Sequence, residues 1–180
     1  MKVTATELPG VTLIEPQVYG DARGFFVETF QADRYRELAG IDLHFVQDNY
    51  SRSRKGVLRG LHRQEARPQG KLVRVARGEV FDVVADIDPA SPTFGRWVGV
   101  VLSEANQHQV WIPPGYAHGF VVLSEVADFE YKCTAYYDPQ SETGAVWNDP
   151  DLAIKWPVEN PTLSDKDRRL PTLAHLKSAQ

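Results

Sequence analysis

A chain of 180 residues with 42% hydrophobic, 24% charged and 11% aromatic residues can bury a full core, and it is expected to fold as one domain over 1–180 rather than remain disordered. Its net charge of −4 disfavours nucleic acid as a partner, and its one basic block, residues 52–77, has no interleaved aromatics on which bases could stack. A lone cysteine, Cys133, an N-terminus without a secretion pattern and the lack of any bilayer-length apolar run point to a reducing cytoplasm and no membrane association.

Short apolar-alternating runs broken by turn residues predict an all-β fold. In chain order, strands are predicted over 11–16, 24–30 and 43–50, and a helix over 33–39 with Asp33 as its cap and Gly40 just past its end. Further strands are predicted over 57–64, 71–76, 80–87, 96–102, 108–112, 119–123, 126–136 and 144–147, with a short helical piece after Ser164. The stretch 71–87 reads as a hairpin turning at Gly78. Many short strands and little helix close most economically as a double-sheet jelly roll, which protects its edges and leaves a hollow for chemistry.

The block 52–77 holds nine of the twenty Lys and Arg against a single acid, Glu65, so it carries +8 and the remainder −12. It is either a solvated face or a pocket for an anion of modest size. The same region supplies His62, which period 2 places on one face with Leu58 and Gly60. An imidazole turned inward there is a candidate base, since its unperturbed pKa lies nearest neutrality; the bland alternative is a satisfied core histidine. Tyr131 shares a face with Phe129 and Cys133 and is either a core aromatic or an acid. Lys71, after Pro68-Gln69-Gly70, is either solvated or turned inward toward an oxyanion.

A metal site needs three or four converging ligands. Pro113-Pro-Gly-Tyr-Ala-His118 resembles the second half of the cupin metal motif, but the first half, His-x-His with a nearby Glu, is missing: His62 is followed two residues later by Gln64. None of His44, His108 or His175 completes a set, so a cupin-type barrel with no metal and an acid-base pocket is expected.

Together the motifs Leu58-Arg-Gly-Leu-His62, Gln69-Gly-Lys-Leu-Val-Arg74, Gly78-Glu-Val-Phe-Asp82, Ser91-Pro-Thr-Phe-Gly95, Trp111-Ile-Pro-Pro-Gly-Tyr-Ala-His-Gly-Phe120, Phe129-Glu-Tyr-Lys132 and Trp147-Asn-Asp-Pro150 resemble the dTDP-4-dehydrorhamnose 3,5-epimerase family. The similarity runs from Gly20-Asp-Ala-Arg-Gly-Phe-Phe26 to Leu163-Ser-Asp-Lys-Asp167. It implies a cofactor-free homodimer that inverts C3 and C5 of a dTDP-linked 4-keto-6-deoxyhexose. It also implies His62 as base, Asp167 as its orienter, Tyr131 as acid and Lys71 at the C4 oxyanion. His118 would contact substrate, and Arg23, Glu28, Gln47, Asp48, Asn49, Arg59, Glu142 and Lys166 would hold the nucleotide.

Mono-epimerases and keto-isomerases of related deoxysugar pathways share the implied fold. Other rivals are a metal-dependent cupin and a non-catalytic nucleotide-sugar binder. Regular pleating puts Arg59 and His62 on opposite faces, so either Gly60 carries a bulge or Arg59 serves a pocket shared with a partner subunit. Asp82 is a further carboxylate able to pair with His62 or Lys71.

Overall fold

The computed structural model describes residues 1–178. The chain passes through β1 (Lys2–Ala5), β2 (Thr12–Glu15), β3 (Val18–Asp21), β4 (Gly24–Val27), α1 (Ala32–Ala39), β5 (Gln47–Arg54), β6 (Leu58–Gln64) and β7 (Lys71–Arg77). It continues through β8 (Glu79–Ala85), β9 (Trp97–Ser103), β10 (Gln109–Ile112), β11 (Ala117–Val122), β12 (Val126–Cys133), β13 (Glu142–Gly144), a 3-10 turn (Asp167–Arg169) and α2 (Leu173–Ser178). One sheet has the order β1-β2-β10-β7-β12-β5 and the other β13-β6-β11-β8-β9, while β3 and β4 form a separate two-stranded arm. This is the cupin-type double-sheet jelly roll, mostly strand with two short α-helices.

Alternation along the strands puts apolar side chains into the space between the sheets. Val73, Val75 and Phe129 of the first sheet meet Val80, Val84, Phe120 and Val122 of the second. The rings of Phe120 and Phe129 stack at 4.0 Å between centroids, and burying such a side chain contributes about 1.5–3 kcal/mol. The outer face of the second sheet is covered by the C-terminal segment, where Leu152 and Leu173 pack on Leu61, Val83, Ala85 and Ala117. Buried Asp149 fastens that segment by accepting from the backbone N–H groups of Leu152 at 3.0 Å and Leu173 at 2.9 Å. The chain between them is tied back to the start of β6, with Thr162 N–H donating to Gly56 O at 2.8 Å and Leu58 N–H to Thr162 O at 3.0 Å. That clamp carries Asp167 to the mouth of the inter-sheet hollow.

Several elements differ from their expected bounds. The helix starts at Ala32 and is capped by Gln31, whose side chain accepts from Arg34 N–H; Asp33 lies inside the first turn and pairs with Arg36. The strand expected over 43–50 runs instead over Gln47–Arg54, because its full length pairs with β12 from Gln47↔Cys133 to Arg54↔Val126. Leu43 and Val46, the apolar residues that suggested the earlier start, are exposed. The last strand is Glu142–Gly144, fixed by pairing of Glu142 with Gln64 and of Gly144 with His62. β7 and β8 are not a hairpin, since they belong to different sheets and Gly78 turns the corner between them. Gly78 has φ +79°, and a Cβ there would lie 2.1 Å from Val126 O.

Candidate active site

A cavity of about 580 Å³ opens between the sheets, within the usual size of a small-ligand site. Its walls include His62, Arg59, His118 and Glu142 from the second sheet, Gln47, Asn49, Lys71 and Tyr131 from the first, and Lys166 and Asp167 from the tail. His62 and Tyr131 therefore face the hollow from opposite sheets.

Arg59 and His62 share this cavity because β6 carries a bulge. His118 pairs with His62 and Phe120 with Arg59, so three steps on β6 match two on β11. Gly60 sits in the bulge with φ +126°, and a Cβ there would lie 2.5 Å from Gly119 Cα and 2.8 Å from His118 O. Only glycine fits that approach, and the extra residue turns Leu61 to the outer core while returning His62 to the cavity.

His62 Nε2 lies 2.6 Å from Asp167 Oδ1. With the carboxylate accepting from Nε2–H, Nδ1 is the basic nitrogen, and it stands 3.8 Å from Glu142 Oε1. Burial raises the Asp167 pKa, but the hydrogen bond from His62, its charge and the bonding to Ser164 outweigh that and leave the carboxyl below its ordinary value. Glu142 behaves likewise: burial pushes it up, yet Lys166 and Tyr137, which both bond its Oε2, and the charge of His62 hold it low.

Tyr131 is pushed up to about 12, first by burial and then by the neighbouring Cys133, so its phenol keeps its proton. Lys71 is lowered by burial, while Cys133, Glu142 and Asp82 oppose the shift and favour its charged form. His118 Nε2 lies 2.8 Å from Asp82 Oδ2, and Asp82 Oδ1 is buried without a hydrogen-bond partner among the described residues. Asp82 thus partners His118 rather than His62. The chemical content of the cavity is a carboxylate-oriented imidazole on one wall, and a protonated phenol with a half-buried lysine amine beside it on the other.

Arg23, Glu28 and Asp48 do not line this cavity. Arg23 is ion-paired to Asp21 at 2.5 Å on the β3–β4 arm, Glu28 pairs with Arg34, and Asp48 faces Lys132 at 3.0 Å on the other side of β5. Tyr137, Ser51, Gln69 and Ser164 line the cavity although sequence reasoning did not select them. For Tyr137 the only sequence signal was an aromatic five residues before Glu142. Among the described residues no group of three His, Cys, Asp or Glu converges as a metal site, and no helix is long and apolar enough to cross a membrane.

Comparison with known proteins gives one consistent result. Residues 5–175 match the family model described as dTDP-4-dehydrorhamnose 3,5-epimerase. Enzymes of that name from Shigella flexneri and Pseudomonas aeruginosa are 56% and 55% identical to the chain, covering 93% and 94% of it and the same shares of their own lengths. The crystal structure of dTDP-6-deoxy-D-glucose-3,5-epimerase from Legionella pneumophila, in complex with dTDP-4-keto-L-rhamnose, superposes with a TM-score of 0.93 at 57% identity over 97% of this chain and 96% of that one. A 3'-monoepimerase from Streptomyces bikiniensis, in complex with dTDP-quinovose, has a TM-score of 0.90 at 34% identity over 97% and 89% of the two chains.

Proposed function

The chain belongs to the dTDP-4-dehydrorhamnose 3,5-epimerase family, and on that premise we propose that His62, Tyr131, Lys71 and Asp167 invert C3 and C5 of dTDP-4-dehydro-6-deoxy-D-glucose. Both carbons flank the C4 ketone, so loss of either proton gives an enolate that can be reprotonated from the other face. The observation that carries the assignment is the placement of His62 and Tyr131 on opposite sheets across one cavity. A sugar ring held between the sheets meets a base on one face and an acid on the other.

Asp167 holds the imidazole with Nδ1 free, and the Lys71 ammonium stabilises the oxyanion developing at C4. Tyr131, with its proton held to about 12, donates to the face away from His62. Arg59 and Lys166 suit the diphosphate as cations at the cavity wall, Gln47 and Asn49 supply polar contacts along β5, and His118 contacts the sugar. The chemistry is proton transfer throughout and redox neutral, so these side chains supply every group the reaction needs.

The reading includes a homodimer in the cytoplasm. Tyr19, Phe25 and Phe26 on the β3–β4 arm are 60–66% exposed, and the same arm and its exit carry Arg23 and Glu28 away from this protomer's cavity. An apolar arm of that kind suits a second copy of the chain, in whose pocket Arg23 and Glu28 would take part. Buried, unpaired Cys133 suits a reducing compartment.

Incubation with the 4-keto-6-deoxyglucose nucleotide in D2O, followed by NMR, tests the function. Deuterium is expected at both C3 and C5. Incorporation at one carbon alone would make the chain a mono-epimerase, and incorporation at neither would leave a binding protein.

A further inference from the structure

Two inversions by one base pose a problem of proton accounting. After the first, His62 holds the proton taken from carbon and Tyr131 has given its own away. The second inversion cannot begin until His62 is neutral and Tyr131 is protonated again. One neighbour is placed for the first of these tasks. Glu142 Oε1 stands 3.8 Å from His62 Nδ1, the nitrogen that Asp167 leaves free. Its other oxygen accepts from Tyr137 O–H at 2.6 Å and from Lys166 Nζ, both near the cavity mouth, where Tyr137 is half exposed.

We infer that Glu142, held in place by Tyr137 and Lys166, resets His62 between the two inversions. The inference rests on the epimerase reading above. Nδ1–H of the imidazolium transfers its proton to Glu142 Oε1, directly once the positive charge draws the two together or through one water, leaving neutral imidazole. Glu142 then releases the proton to water beside Tyr137, and the Tyr131 phenolate takes one from water. One proton leaves and one enters, so the site returns to its starting charge.

The environment of Glu142 suits transit rather than storage. Hydrogen bonds from Lys166 and Tyr137 and the charge of His62 overcome the upward push of burial and keep the carboxyl readily ionised, so it passes a proton on instead of holding it. The gap of 3.8 Å is longer than a hydrogen bond, as expected for a contact that tightens only when His62 is charged. A carboxylate is also a poor direct partner for a diphosphate, so its place beside the base calls for a role other than gripping phosphate.

The test is the Glu142→Gln protein, incubated with the 4-keto-6-deoxyglucose nucleotide in D2O at saturating substrate and followed by NMR through the first turnovers. The second inversion is expected to slow by about a hundredfold relative to the first, the low end of what a positioned proton-transfer group contributes, so that singly inverted sugar nucleotide accumulates. Added imidazole buffer should restore the second inversion in proportion to its concentration, and Glu142→Asp should restore part of it without buffer. Equal loss of both inversions, carried by KM and insensitive to buffer, would reduce Glu142 to a binding group and overturn the proposal. So would an unchanged product ratio. Absence of deuterium at either carbon with the unaltered protein would instead sink the epimerase reading itself, and the two failures are therefore told apart.

Discussion

His62 and His118 stand opposite each other on adjacent strands, each within 2.8 Å of a carboxylate, yet the two pairs are built differently. The His62 side chain is 26% exposed and its carboxylate comes from the tail of the chain; His118 is only 7% exposed and its partner Asp82 sits on the next strand of the same sheet. His62 keeps one nitrogen free beside Glu142 and faces Tyr131 across the hollow. Asp82 presents a second oxygen that no described group bonds. Pairing with a carboxylate therefore does not define a base. A proton-transfer imidazole needs a free nitrogen and a route to solvent, whereas a pair locked between two central strands is suited to holding its position.

Removing each pair separately should give opposite signatures. His62→Ala is expected to lower deuterium exchange at both C3 and C5 by about a thousandfold or more, near the upper range for a general base, while a thermal melt moves little because the side chain is partly exposed. Retention of exchange at either carbon would show that a second base acts there and would break the comparison. Asp82→Ala should do the reverse in kind: it leaves the His118 N–H buried without its partner and is expected to cost about 1–3 kcal/mol of stability, read from urea unfolding. An unfolding midpoint equal to that of the parent would show that the buried pair does not hold the sheet.

The same contrast explains what the sequence could and could not disclose. His62 and Tyr131 were legible as inward positions because strand alternation is a local property, whereas Lys71, at the very start of its strand, stayed open between solvent and the interior; the jelly roll followed from the density of short strands. Which strand pairs with which is not local. The 71–87 stretch satisfies every hairpin signal, and only the sheet order shows that Gly78 turns from one sheet to the other. β5 escaped its true bounds because QDNYSRSR lines a polar cavity on one side and has no apolar alternation to reveal it. A bulge at Gly60 is one of two ways to bring Arg59 and His62 together, and the register with β11 selects it. Tyr137 gave no signal beyond being an aromatic five residues before Glu142, since its importance comes from the hydrogen bond it donates to that residue in the following strand.

The smallest expected effect concerns Asp167 and acid. Burial acts to raise its pKa, but the hydrogen bond and charge of His62 prevail, so its folded value lies below its ordinary one. A depressed carboxyl pKa adds stability that is fully present above the unfolded value, about 4, and is lost as pH falls through the folded value. Asp167→Asn should thus unfold slightly more easily than the parent near neutrality, by about 1 kcal/mol because the buried amide still offers His62 a hydrogen-bonding oxygen and only the charge is lost, and the difference should shrink below about pH 4. Urea midpoints for both proteins at neutral and acid pH measure it. A difference that grew in acid would mean that the carboxylate is tolerated by the fold rather than stabilised by His62, and the pair would then owe its geometry to the clamp of the tail on β6 alone.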